Sequence, residues 1–110
     1  MKTYLGKETE AMHEKVKNLL PIGTIVSLNR GSKKMMIFGI VQTMENNAEG
    51  KDGQYDYVGV PYPEGNMGQD FQYLFNHEDI EKIYFRGFED IERQEFIFKL
   101  SEYFKENPAG

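Results

Sequence analysis

Cysteine is absent from the 110 residues. A disulfide framework, a cysteine nucleophile and a cysteine-based zinc site are therefore excluded, and the composition fits a reducing compartment. Histidine is scarce as well, with His13 and His77 the only two. A zinc site needs three or four ligands at short local spacing. The neighbours of His77, namely Glu78, Asp79 and Glu81, would alternate across an extended chain rather than converge, so no metal is expected. Long apolar runs are also missing. No segment approaches the ~20 apolar residues that span a bilayer. The opening MKTYLGKETEAMHEKVKNLL has no uninterrupted apolar stretch of the signal-peptide kind. The expectation is a cytoplasmic protein with no membrane partner.

Catalytic patterns are equally thin. Ser27, Ser32 and Ser101 have no nucleophile-elbow glycines around them, and no pair of carboxylates stands out in an apolar frame. No catalytic residue, no cofactor and no enzymatic activity are expected. The stretch NRGSKKMMIFGI (29–40) places glycine, serine and two lysines together. It lacks the first glycine of a G-x-x-x-x-G-K-[ST] phosphate loop, and a strand rather than a helix follows it. It reads as the soluble tip of a hairpin, Arg30–Lys34, with Gly31 expected to take the positive φ of a tight turn.

What the chain does have is aromatic residues, eight Phe and seven Tyr, and an uneven charge. Residues 1–35 carry seven basic and three acidic side chains, whereas residues 36–110 carry six basic and fifteen acidic, for a net −5. An acidic chain is a poor binder of phosphate backbones. Tyr55, Tyr57, Phe71 and Tyr73 could form a stacking face, but their charged neighbours are Asp56 and Asp70, the wrong sign, so they read as a core face of a sheet. No nucleic-acid partner is expected.

Periodicity gives the elements. Met12, Val16, Leu19 and Leu20 form one apolar stripe of a helix over 8–19, which Pro21 stops. Strands follow near 24–28, 35–43, 55–60, 69–75 and 80–86, the first two joined as a hairpin. A second helix spans 88–106. Its residues Phe96, Ile97, Leu100, Tyr103 and Phe104 fall within one arc of ~120° at 100° per residue. Ile91 and Phe98 lie seven apart on another side of that helix, away from the stripe assigned to the core. The order indicates one α+β domain over 1–110: an N-terminal helix, a twisted antiparallel sheet or small open barrel of about five strands, and a C-terminal helix. Ile91 and Phe98 are the candidate protein-binding residues, unless the first helix covers them through Met12 and Val16.

Several spaced motifs add a resemblance: Leu20-Pro21-Ile22-Gly23-Thr24 before the first strand, Gly39 within the second, Tyr57 and Pro61-Tyr62-Pro63-Glu64-Gly65 around the third, and Phe85-Arg86-Gly87-Phe88 before the last helix. Over about residues 19–100 the chain resembles a family of small domains of unknown function from Gram-positive bacteria, often encoded beside type VII secretion genes and their LXG-type toxins. The resemblance carries over no catalytic residues. It implies a cytoplasmic accessory or adaptor protein, chaperone-like, that holds a secreted toxin or its helical partners before export. An immunity protein that covers a toxin is the alternative, since an acidic surface suits a basic nuclease. A nucleic-acid-binding barrel is a second alternative, disfavoured by charge.

Overall fold

A computed structural model describes residues 11–44 and 53–107. The expected start of the first helix at residue 8 and most of the loop expected over 44–54 lie outside these. Contacts divide the chain into two compact units, Leu20–Phe88 and the combined ends, Met1–Leu19 with Glu89–Gly110.

The Leu20–Phe88 unit is a five-stranded antiparallel sheet, open at both ends and not closed into a barrel. Its strands are β1 (Ile25–Leu28), β2 (Lys34–Met44), β3 (Gly53–Pro61), β4 (Tyr73–Phe75) and β5 (Ile80–Phe85). The order is β4-β3-β2-β1-β5. Sequential hairpins build four of the strands, and β5 returns to pair with β1. The β-branched runs IVSL and MMIFGIV supply the strands. Ile25, Val26, Met35, Ile37, Tyr57, Val58, Val60 and Phe75 are buried. Buried residues run consecutively along β3 from Asp56 to Pro61, with no alternation between buried and exposed positions.

Two expectations in this unit are corrected. Residues 69–75 do not form one strand. Gln69–Phe71 is a 3₁₀ turn that follows Gly68 at φ 113, and only Tyr73–Phe75 pairs with β3. Phe71 and Tyr73 consequently stay exposed, at 43% and 47%, and only Phe75 reaches the core. In the β1–β2 turn, Arg30 rather than Gly31 takes the positive φ, at 70°. The bond from Gly31 N–H to the Leu28 carbonyl, 3.0 Å, closes a four-residue turn whose third position is Arg30, the place where a turn of this geometry needs φ > 0. The tip itself is exposed from Asn29 to Lys34, as its composition implies.

Strand β5 is an edge, and its pairing with β1 slips twice, between Ile25 and Val26 and between Ser27 and Leu28. Bulges together with Glu81 and Lys82 on the strand are devices that discourage edge-to-edge pairing.

The other unit contains α1 (Met12–Lys15), a 3₁₀ turn over Val16–Asn18, and α2 (Ile91–Glu106). Helix α2 begins three residues later than the pattern suggests. Asp90 is in extended geometry and caps the helix, its side chain accepting from Arg93 N–H at 3.0 Å. At the far end Asn107 donates to the Tyr103 carbonyl through both its backbone and its side chain. Arg93 Nη2 donates to the Leu19 carbonyl and Ser101 Oγ to the His13 carbonyl, at 3.0 and 2.8 Å, tying the two chain ends together. Val16, Leu19, Ile97, Ser101 and Phe104 are buried.

Candidate functional site

Thr24, Gly87 and Tyr57 from the motifs build a polar latch in the sheet unit. Thr24 is fully buried; its Oγ1 donates to the Pro21 carbonyl at 2.7 Å and accepts from Gly87 N–H at 3.0 Å. The chain passes so close there that a Cβ on Gly87 would stand 2.3 Å from the Ile22 carbonyl oxygen. Glycine is required at 87 by space, because the clash is with rigid backbone. Tyr57, also fully buried, accepts from Leu20 N–H at 2.9 Å, and its hydroxyl lies 2.7 Å from His77 Nδ1. Since Leu20 N–H can only donate, the tyrosine oxygen is an acceptor there and its own proton is available to the imidazole. Asp56, 2% exposed, accepts from His77 N–H at 2.8 Å. Asn76 and Asp79 exchange bonds across the following turn in a capping box. His77 is thus a structural partner of a buried tyrosine. Among the described residues no group of three His, Asp or Glu side chains could hold a metal ion.

Among the described residues apolar groups meet solvent at several places, and at two of them they line a hollow. The first is a hollow of about 410 Å³ in the sheet unit, lined by Leu28, Met35, Pro61, Met67 and Tyr73, with Lys33 and Glu64 at its edge. The β1–β2 turn brings Lys33, and the tight turn closed by Gly65 N–H on the Pro61 carbonyl brings Glu64. Their charged atoms meet at 2.7 Å, half in solvent. The hydrogen bond from Lys33 holds the Glu64 carboxyl below the ordinary glutamate range. Sequence reasoning missed this hollow, because its lining comes from four separate stretches. The run Pro61-Tyr62-Pro63-Glu64-Gly65 was its one visible sign.

The second surface is on α2. Ile91 and Phe98 are 70% and 65% exposed. They line a smaller hollow with Gln94, Glu95 and Lys99. On the other flank of the helix Phe96 and Tyr103 are also more than half exposed. The expected core stripe is therefore narrower than the ~120° arc drawn from helical periodicity: Ile97, Ser101 and Phe104 are buried, Leu100 is half-buried, and Phe96 and Tyr103 are not part of it. The buried serine was not visible as a core position. Only its bond to the His13 carbonyl accounts for it. Both candidate binding residues, Ile91 and Phe98, lie together on the exposed side, one two-turn interval apart.

The Domain of unknown function (DUF4176) family model matches residues 19–96, most of the chain, and the protein belongs to that family. The match takes in the whole sheet unit with its latch and hollow, and α2 only through Phe96. No curated protein and no solved structure matches the chain.

Proposed function

We propose that this member of the DUF4176 family is a non-enzymatic, cytoplasmic accessory protein that holds a helical segment of another protein, a type VII secretion effector or its helical partners, before export. The observation that carries the proposal is the pair Ile91 and Phe98, exposed at 70% and 65% on a helix whose opposite side is buried. Two large apolar side chains at i and i+7 on one helix face are the anchors by which helices dock on helices. Glu95 and Lys99 between and beside them supply a polar rim. The secretion context rests on the motif resemblance. The non-catalytic reading is supported by what the described residues do: the buried Asp56 and Tyr57 are engaged in hydrogen bonds to the exposed His77.

The test is co-purification with a neighbouring secreted toxin divided into its N-terminal helical part and its catalytic part. Retention of the helical part, lost on Phe98→Asp without loss of folding, is the expected result. Retention of the catalytic part would favour the immunity reading, and retention of neither would overturn both.

A further inference from the structure

Three strands of the sheet place two lysines and a serine in one row. Ser27 on β1 is the Cα partner of Lys34 on β2 and of Lys82 on β5. Directly opposed residues of an antiparallel pair project to the same face, so the row reads lysine, serine, lysine. Tyr84 completes it. Ile25 pairs with Phe85 and Val26 with Ile83, which leaves Tyr84 as the extra residue of a bulge in β5, and bulges re-aim side chains. Both ammonium groups lie over the Tyr84 ring, Lys34 Nζ at 5.0 Å and Lys82 Nζ at 4.8 Å from its centroid. The two lysines and the tyrosine are exposed.

Two features of this row are unfavourable in the free protein. Two positive charges converge on one ring, in a chain of net charge −5, yet among the described residues neither lysine forms an ion pair. Ser27 is 4% exposed, and among the described residues its hydroxyl has no hydrogen-bond partner. The other buried hydroxyls, on Thr24 and Ser101, are both bonded, as buried polar groups ordinarily are. The cation–π contacts account for the lysines and leave the hydroxyl unpaired. A water on the hydroxyl would leave the charges uncompensated. A small anion with several acceptor oxygens answers both.

We propose that the row Lys34, Ser27, Lys82 is a binding site for a phosphate dianion, free or as the end of a small phosphomonoester. Two positive charges meet two negative ones. The three terminal oxygens of a phosphomonoester meet three donors, the Ser27 O–H and an N–H from each lysine. A carboxylate, with one charge and two oxygens, leaves one lysine or the serine without its match. Lys34 ends the basic stretch NRGSKK, which has no phosphate-loop spacing. Its contribution here is different in kind, because the donors are side chains brought together across strands rather than backbone amides of a loop. The site uses no residue of α2, so its failure leaves the docking reading untouched.

The experiment is titration of the full chain at pH about 8, where a phosphomonoester is a dianion, with ionic strength held constant by chloride. Inorganic phosphate and glycerol phosphate are the probes, acetate is the control, and calorimetry and amide NMR shifts are the readouts. Saturable binding of both probes below about 10 mM is expected, with the shifts centred on Ser27, Lys34, Lys82 and Tyr84. Equal binding of the two assigns the site to the phosphate ion; tighter binding of the ester assigns it to the phosphate end of a larger molecule. Acetate should bind at least about tenfold more weakly. Lys34→Gln, Lys82→Gln and Ser27→Ala should each weaken phosphate binding about tenfold, the usual scale for a hydrogen bond to a charged group. Without phosphate, Ser27→Ala should melt no more than about 4 °C below the wild type, because it removes an unpaired buried hydroxyl. No saturation up to about 50 mM phosphate overturns the proposal. So does acetate binding as tight as phosphate, affinity unchanged in the lysine variants, or a larger fall in the melting temperature of Ser27→Ala, which would show the hydroxyl already bonded.

Discussion

Single residues in the latch show why two distant motifs belong to one fold. Leu20 N–H is buried and its acceptor is the Tyr57 hydroxyl, 37 positions away. Thr24 joins Pro21 to Gly87, 63 positions away. Removing one partner from a buried pair leaves the other desolvated, at a cost of about 1–3 kcal/mol. Tyr57→Phe and Thr24→Val are each expected to lose that much in urea unfolding with an unchanged m-value; a loss below about 0.5 kcal/mol would show the groups to be satisfied by solvent. Arg30 provides the opposite sign. An arginine at φ 70° occupies a region that only glycine adopts freely, so Arg30→Gly should raise stability by about 0.5–1 kcal/mol. An equal or lower melting temperature would mean that the arginine side chain offsets its backbone strain.

Glu64 belongs to the same scale. Its carboxyl is held low by Lys33, so the ion pair is present above the ordinary glutamate value and is lost as pH falls through the lowered one. In an NMR titration Glu64 should titrate below the ordinary glutamate value, and Lys33→Gln should move it back toward that value. If Lys33→Gln left the Glu64 titration where it was, the turn backbone alone would be holding it.

At the scale of elements, burial and amphipathic pattern part company on α2. Phe104 is 7% exposed and Phe98 65%. Phe104→Ala should cost about 3–5 kcal/mol, whereas Phe98→Ala should stay within about 1 kcal/mol. Equal losses in thermal unfolding would place Phe98 in a core. The strands were legible where β-branched and large apolar residues cluster, as in Ile25–Leu28 and Lys34–Met44. They were misread at Phe71, where Gly68 turns the backbone and no partner strand remains to pair. Helix ends were set by chemistry that periodicity does not contain, namely the Asp90 cap. The width of the buried stripe was also hidden, because a period shows which residues share a side and not how much of that side a short neighbour can cover. Ile91 and Phe98 could be separated from the stripe because seven-residue spacing on another side of a helix is a purely local signal. The hollow could not, since Leu28, Met35, Pro61 and Tyr73 converge only through the pairing of β1 with β2, β2 with β3 and β3 with β4.

For the whole molecule, family membership and chemistry divide along the chain. The family match ends at residue 96, so the sheet with its latch and hollow lies within the shared part, while Phe98 lies beyond it. The charge of the chain, −5 with the acids concentrated after residue 35, would favour a partner that carries basic segments. The most direct measurement is capture of the helical part of the neighbouring effector by the wild-type protein and by Phe98→Asp, with melting curves run on both. The account requires that the wild type retains the helical part and that the variant, melting within about 2 °C of it, retains at most about a tenth as much, as expected when a central apolar anchor becomes a charge. Equal retention by the folded variant would contradict it.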